Sequence, residues 1–193
     1  YIGDTIPVGI GQSYWTTTPV QLNTSVNTLI NAGERYIPQI IRGYMNTDSS
    51  VDLIPLKSLR PIEIKNRNNL DVVLNAMRDV VSGEEGGARH AFADTPYDSA
   101  GKTGTAQLFT VGQNEKYDAT KIDERLRDNA MYVGFAPFND PEISVTVVLE
   151  NVGGGSKNAA PVARQIMDFY FRDRVFETAE ADSANTDNEL GTN

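Results

Sequence analysis

The chain has 193 residues, of which 26 are acidic and 17 are Lys or Arg, so its formal net charge is −9 at neutral pH. This length suits one domain with a substantial core, and a hydrophobic share of 39% argues against general disorder. Because phosphate binding needs clustered Lys and Arg, the acidic balance argues against nucleic acid as a partner. The lack of cysteine and the single histidine, His90, exclude disulfides, thiolate zinc sites and sites built from several imidazoles.

The start of the chain carries no sign of a membrane segment or of secretion. No stretch approaches the ~18 consecutive apolar residues that span a bilayer, and no signal peptide is recognisable. The chain begins at Tyr1, without an initiator Met, in sequence typical of a folded region. We therefore expect a fragment whose N-terminal part, with any membrane anchor, is missing.

The first predicted elements are a helix and a short strand. Thr18 is a suitable N-cap and Pro19 a suitable first helical residue. Apolar residues then recur at helical spacing until Gly33 ends the helix. Residues 35–43 predict one strand, which Pro38 restricts to the edge of a sheet because proline has no N–H to donate.

The middle of the chain predicts a turn, a second helix and a flexible loop. Residues 46–52 are polar and typical of a turn, and residues 69–82 predict the helix. The Gly-rich residues 83–87 then form the loop. The apolar face of this helix is predicted to consist of Leu70, Val73, Met77 and Val80.

Three strands are predicted in the second half of the chain. Residues 97–109 read as a strand whose glycines let another group approach its backbone closely. Residues 130–138 and 143–149 read as a hairpin joined by a turn at residues 139–141. The core face of the last strand is predicted to consist of Ile143, Val145, Val147 and Leu149.

A final helix and an acidic tail complete the chain. The helix follows Gly153-Gly154-Gly155, a segment that could bind an anion at the helix start or simply form a turn, the simpler interpretation. Residues 177–193 contain five acids and no base, so this tail is predicted to be disordered and residues 1–176 to be the folded part. The core face of the helix is predicted to consist of Val162, Ile166 and either Phe169 or Tyr170.

This order of elements predicts an α+β fold, because strands joined by hairpins form antiparallel sheets. We expect an antiparallel sheet flanked by helices, with Lys102 on an inner-facing strand and the last helix packed against the sheet. The 20 residues from 110 to 129 are long for a connection in a compact domain. Because long connections often act as lids, we expect this one to border the functional groove near Thr105 and Gln107.

The motif Gly101-Lys102-Thr103-Gly104-Thr105 carries the most chemical information. A nucleotide-binding phosphate loop would need a glycine at position 96 and a helix directly after the lysine. Position 96 is Pro96, and Gly104 falls where that helix would begin, so this interpretation fails.

The same motif matches the Lys-Thr-Gly strand of serine enzymes that process acyl-D-alanine bonds and penicillins. Lys102 would place a positive charge beside a substrate carboxylate and influence proton transfer at the nucleophile. The hydroxyls of Thr103 and Thr105 could bind that carboxylate, and Gly104 would let the substrate lie against the strand. The N–H of Thr105 would point at the developing oxyanion. Such a triplet is common enough by chance to be weak evidence alone.

The flanking sequence strengthens this interpretation. Residues 3–22, from Gly3-Asp4-Thr5 to Pro19-Val20-Gln21-Leu22, resemble the segment between the second and third active-site motifs of class B penicillin-binding proteins. Residues 101–107 resemble the third motif with its usual extension through Ala106 and Gln107. Residues 124–128 and 135–137 look more like the elongation-type members than the septal ones. The resemblance runs from Gly3 to about Arg172.

The resemblance implies the C-terminal portion of a transpeptidase domain with the penicillin-binding and serine β-lactamase-like fold. Its activity would be D,D-transpeptidation of peptidoglycan, with acylation by β-lactams and no metal or organic cofactor. Lys102 and Thr105 would be catalytic, and Lys102, Thr103, Gly104, Thr105 and Gln107 would contact substrate. The implied partners are stem peptides ending in D-Ala-D-Ala, the N-terminal half of the same domain and membrane proteins of the elongation machinery. Such proteins are periplasmic domains anchored in the inner membrane.

The family also needs a Ser-x-x-Lys nucleophile motif and a Ser-x-Asn motif, both upstream of the region matched here. Ser99 and Lys102 match the first as a string, but that motif needs a helix to bring both side chains to one face. Three Ser-x-Asn strings begin at Ser25, Ser156 and Ser183, all at places that do not fit the family's order. We therefore expect this chain to lack the nucleophile.

Three alternatives stay open at this point. A septal class B enzyme would share the chemistry and would differ in the 110–129 connection. A β-lactamase or β-lactam sensor would hydrolyse or signal instead; residues 15–19 and the acidic tail argue against it. A fragment without the nucleophile could also act only as a binding module.

Overall fold

The structure is a computed structural model that describes Gly3 and residues 5–12, 16–108 and 122–174. The helices of this part of the chain are α1 (Thr5–Gly9), α2 (Pro19–Ile30), α3 (Arg67–Ser82) and α4 (Gly155–Phe171), with a short 3-10 helix at Glu124–Leu126. The strands are β1 (Arg35–Tyr36), β2 (Gly43–Met45), β3 (Val51–Leu53), β4 (Ser58–Leu59), β5 (Ala100–Ala106), β6 (Asn129–Ala136) and β7 (Ile143–Leu149). None of these helices is both long and apolar enough to cross a membrane.

Strands β5, β6 and β7 form the central sheet. All neighbours are antiparallel, with Ala100 opposite Phe135 in one pair and Ala136 opposite Ile143 in the other. The predicted hairpin is therefore confirmed, as is the α+β class with an antiparallel sheet flanked by helices. Strand β5 lies at an edge of the described sheet, so its outer backbone groups have no strand partner there.

Helices cover both faces of this sheet. Helix α4 packs on one face, and helices α2 and α3 cover the other. The alternation of side chains along β6 explains the division, because Tyr132 points to the α4 side while Val133 and Phe135 point to the α2 side. The core residues predicted on β7 lie on the α4 side, with Val145 and Val147 buried and Ile143 and Leu149 partly buried against them.

Helix α2 begins where the sequence predicts. The Thr18 hydroxyl accepts a hydrogen bond from the Gln21 N–H at 3.2 Å, and the Gln21 side chain accepts one from the Thr18 N–H at 2.9 Å. This reciprocal pair satisfies two N–H groups at the helix start that would otherwise lack partners. Gly33 has a φ of +99°, which a glycine adopts without strain, and it turns the chain away after the helix.

The segment that follows α2 differs from its prediction. Instead of one strand over 35–43, the chain forms β1 and β2 separately, with Pro38 between them. Strand β1 pairs with β4, and β2 pairs with β3. Residues 51 and 52, which were predicted to belong to a turn, are part of strand β3. The ladder beyond β1 ends with the bond from Ile37 N to Lys57 O at 2.9 Å, because Pro38 has no N–H to continue it.

Helices α3 and α4 form as predicted, but parts of their core faces differ. Val73 of α3 is 46% exposed, and Leu70 and Val81 are the buried residues of that helix. On α4, Ile166, Phe169 and Tyr170 are exposed instead of buried. A helix that lies close to a sheet favours small residues at the contact, and the buried set is Gly155, Ala159, Ala160, Ala163, Met167 and Phe171.

Two buried tyrosines should make the fold less stable at high pH. Burial and a 2.7 Å hydrogen bond to Asp168 raise the pKa of Tyr97, and burial raises the pKa of Tyr132. An unfolded tyrosine ionises at about pH 10, whereas these two stay protonated at that pH in the folded chain. Above that pH the unfolded chain therefore binds fewer protons than the folded chain. The free energy of unfolding should accordingly fall as the pH rises through about 10. Urea unfolding across this range measures the slope, which should flatten when Tyr97→Phe and Tyr132→Phe are combined; an unchanged slope would contradict the assignment.

Candidate active site

The Lys-Thr-Gly motif lies along β5, at the open edge of the described sheet. A strand at this position contradicts the helix that a phosphate loop would need after Lys102. The outer edge of β5 carries the carbonyl groups of Thr103 and Thr105, which accept hydrogen bonds from side chains and not from β6. Because the N–H and C=O of a residue in an antiparallel strand point the same way, the N–H of Thr105 also faces this open edge.

A groove of about 590 Å³ runs beside this strand. Its floor is the α2 side of β5 and β6, and its opposite wall is the start of α2 together with the segment after α1. Lys102, Thr103, Gly104 and Thr105 all line it. The other lining residues are Ile10, Gly11, Gln12, Thr16, Thr17, Thr18, Pro19, Leu22, Ala106, Asn129, Met131, Tyr132, Val133 and Val148.

Lys102 is exposed and directed to the α2 side of the sheet, opposite Val133 in the strand register. Its Nζ donates a hydrogen bond to the Thr103 carbonyl at 2.7 Å. The ammonium group therefore lies at the strand edge, beside the open backbone groups. This is where a carboxylate bound along the edge would meet a positive charge.

The side chains of Thr103 and Thr105 point to the α4 side of the sheet, opposite Tyr132 and Ala130 in the register. The Oγ1 of Thr105 accepts a hydrogen bond of 3.4 Å from the N–H of Gly155, the first residue of α4. Lys102 and the two threonine hydroxyls thus approach the strand edge from opposite faces of the sheet. A ligand lying along the edge can reach both.

Gln12 is a site residue that the motif analysis missed. Its Nε2 donates a hydrogen bond to the Thr105 carbonyl at 2.8 Å, so a side-chain amide occupies the backbone acceptor next to Thr105 N–H. The two residues are 93 positions apart in the chain. The only signal in the sequence was that Gln12 belongs to the family-like segment at residues 3–22.

Gln107, the 110–129 connection and the acidic tail were also predicted features of the chain, and the structure describes them only in part. Gln107 directly follows β5 and is exposed, and it does not belong to the groove lining among the described residues. Most of the 110–129 connection lies outside the described residues, so its role as a lid stays a prediction. Its last residue, Asn129, lines the groove and pairs with Ala106. The acidic tail also lies outside the described residues.

The structure describes three of the four serines in the chance motif matches. Ser99 directly precedes β5 and is 2% exposed, so no helix joins it to Lys102. The Ser25 hydroxyl donates to the Leu22 carbonyl within α2 at 2.7 Å. The Ser156 hydroxyl donates to the Gly87 carbonyl. Ser183 lies outside the described residues.

Comparison with solved structures places this fold in one class. The chain matches Pseudomonas aeruginosa PBP2, solved in complex with WCK 5153, with a TM-score of 0.71, 36% identity, and coverage of 93% of this chain and 36% of that one. It also matches Helicobacter pylori PBP2, solved in complex with MreC, with a TM-score of 0.67, 23% identity, and coverage of 91% of this chain and 29% of that one. At that lower identity the second match shows the fold alone. The fold is that of a penicillin-binding transpeptidase.

The sequence comparisons define the family. The model of the penicillin-binding protein transpeptidase domain matches residues 1–168, and the chain belongs to this family. The peptidoglycan D,D-transpeptidase MrdA of Haemophilus influenzae is 41% identical over 174 residues, which are 90% of this chain and 26% of that protein. The chain thus spans about a quarter of the length of this curated relative.

Proposed function

We propose that this chain supplies the Lys-Thr-Gly half of the active site of a peptidoglycan D,D-transpeptidase. In this reaction a serine outside the chain attacks the carbonyl of the D-Ala-D-Ala bond, and the terminal D-Ala leaves as the amine. An amine from a neighbouring stem peptide then attacks the acyl-enzyme ester and releases the serine. Both steps are acyl transfers between nucleophiles, and they need no metal or organic cofactor.

The observation that carries this proposal is the open edge of β5, with the backbone of Thr105 facing outward beside the Lys102 ammonium. An extended peptide can pair with such an edge as an additional strand. The Thr105 N–H is then a donor for the oxyanion that forms at the attacked carbonyl, a type of contact whose loss costs enzymes about 100- to 1000-fold in rate.

The remaining roles follow from the same arrangement. Lys102 and the hydroxyls of Thr103 and Thr105 bind the terminal carboxylate of the substrate or of a β-lactam. Gly104 has no side chain to obstruct a peptide lying along the strand. We assign Gln107 to the substrate as well, at the point where the peptide leaves the strand.

The similarity to MrdA and PBP2 supports the elongation-type subclass over the septal one. We accordingly propose a periplasmic domain anchored in the inner membrane, with membrane proteins of the elongation machinery as partners. That a Helicobacter pylori relative of this fold was solved with MreC is consistent with such partners.

Acylation by benzylpenicillin tests the proposal directly. We expect this chain alone to form no covalent penicilloyl adduct, because no described serine lies in a helix with a lysine one turn further on. The same chain joined to the upstream part of its transpeptidase domain should be acylated in a 1:1 ratio.

Intact-mass spectrometry of both proteins measures the outcome. A stoichiometric adduct on any serine of the chain alone would show that the nucleophile lies within it. Failure of the longer, folded protein to acylate would contradict the transpeptidase assignment itself.

A further inference from the structure

The first residue of α4 touches the backbone of the active-site strand. A Cβ added at Gly155 would collide with the carbonyl oxygens of Gly104 and Met131, and it would lie 3.0 Å from the Gly104 nitrogen. These neighbours are backbone atoms of β5 and β6, which cannot rotate away as a flexible side chain can. Only glycine at position 155 lets the helix start at its present distance from the sheet.

The same close approach reaches the Thr105 side chain. Because Gly155 lies against Gly104, the Gly155 nitrogen is 3.4 Å from the Oγ1 of Thr105, and the Gly155 N–H donates a hydrogen bond to that hydroxyl oxygen. This long hydrogen bond gives the hydroxyl oxygen a donor on the α4 side, so its own proton can point toward a ligand at the strand edge. A helix start pushed away from the sheet would lose this contact.

Side-chain bonds hold the first turn of α4 in this position. The Asn158 amide donates to the Gly154 carbonyl at 3.1 Å and to the Val152 carbonyl at 2.9 Å, which ties the preceding loop to the helix. The Ser156 hydroxyl donates to the Gly87 carbonyl and so joins the helix start to the Gly-rich loop after α3. A Cβ added at Gly87 would lie 3.4 Å from the Thr103 hydroxyl, so this loop borders the same threonine face.

We propose that Gly155 is a positioning residue for acylation, which acts by fixing the hydroxyl of Thr105 for the substrate carboxylate. The inference rests on the proposed function, since it assumes that Thr105 contacts the substrate. Neither the family motif nor the sequence pattern of residues 153–155 assigns this role. Those residues alone suggested an anion site or a plain turn.

The adjacent glycine provides a matched control. A Cβ added at Gly154 has the Thr105 Oγ1 as its nearest neighbour, at 3.9 Å, which is ordinary van der Waals contact. Its φ of −71° and ψ of 140° are accessible to alanine. Gly154→Ala and Gly155→Ala therefore add the same methyl group one residue apart, and only the second forces the helix from the strand.

The experiment is a double-mutant cycle in the complete transpeptidase, with the acylation rate constant for benzylpenicillin and the melting temperature as readouts. We expect Gly155→Ala to lower the rate constant at least about tenfold, since misplacement by about 1 Å can cost 100-fold. Gly154→Ala should change it less than about twofold. In a Thr105→Val background, Gly155→Ala should have little further effect on acylation, because the hydroxyl on which it acts is gone.

A purely structural role would give a different pattern. Met167→Ala removes a fully buried side chain of α4 far from the helix start, and it serves as a control for lost stability. If it lowers the melting temperature as much as Gly155→Ala does and slows acylation equally, the positioning role is wrong. An equal effect of Gly155→Ala with and without the Thr105 hydroxyl would also overturn it.

Two further outcomes separate this inference from the proposed function. If Thr105→Val acylates normally, the carboxylate-binding role of the Thr105 hydroxyl is wrong and this inference fails, whereas the proposed function still rests on the Thr105 backbone and Lys102. If Gly155→Ala does not fold, Asn158→Ala tests the same contact, because it removes a half-buried side chain whose two hydrogen bonds tie the loop before α4 to the helix. It should slow acylation about threefold with Thr105 present and not with valine there, and equal rates in both backgrounds would overturn the inference.

Discussion

Replacing Lys102 with alanine is expected to slow acylation of the complete enzyme at least about tenfold, because a factor of ten in rate corresponds to ~1.4 kcal/mol. A charge-assisted hydrogen bond to the substrate carboxylate contributes roughly 1.5–3 kcal/mol. The stability of the folded domain should change little, since Lys102 is exposed and its described hydrogen bond goes to the adjacent Thr103 carbonyl. The measurement is the second-order acylation rate with a fluorescent penicillin, together with a melting curve.

Lys102→Arg is the matched control for charge. The guanidinium keeps the positive charge but is larger and planar, so we expect partial rescue only. A Lys102→Ala enzyme that acylates at the normal rate would refute the assigned role. So would one whose loss of acylation is fully explained by unfolding.

Replacing Tyr132 with alanine is expected to destabilise the domain by about 3–5 kcal/mol, the usual range for removing a large aromatic side chain from a core. Tyr132 is fully buried in the middle of the sheet and stacks on Phe92 with ring centroids 5.4 Å apart. Its ring also fills the space above Gly101 and Gly134, whose missing side chains make room for it. The midpoint of urea unfolding measures the loss.

Tyr132→Phe separates the ring from the hydroxyl. The hydroxyl is buried and has no hydrogen-bond partner among the described residues, so its removal should leave stability unchanged or raise it. A large loss in Tyr132→Phe would mean that the hydroxyl makes an important contact. A small loss in Tyr132→Ala would mean that the core relaxes into the space left by the ring.

The sequence predicted best those elements whose determinants are local. Alternating apolar residues defined β7, and the Thr18 cap with Pro19 defined the start of α2, because both signals lie within the element itself. The Lys-Thr-Gly strand and its Lys102, Thr103 and Thr105 were likewise recognised from adjacent residues. Local signals are sufficient when the structure they specify does not depend on a distant partner.

The missed features depend on distant parts of the chain. The contact between Gln12 and Thr105 joins residues far apart in the sequence, and no spacing rule predicts it. The core face of α4 was misassigned because apolarity was taken as the guide, whereas close approach to the sheet favours Ala159 and Ala163 over Phe169. The pairing of β1 with β4 was not predicted because each strand has only two residues.

The open edge of β5 also bears on how the protein behaves at high concentration. Unpaired backbone groups on an edge strand can pair with the edge of a second molecule and start aggregation. This edge cannot be covered permanently if a peptide is to bind there. Lys102 opposes such self-association, since burying its charge between two sheets would be costly, and the Gln12 amide occupies one of the free acceptors. Lys102 and Gln12 therefore disfavour pairing of this edge with the edge of a second molecule.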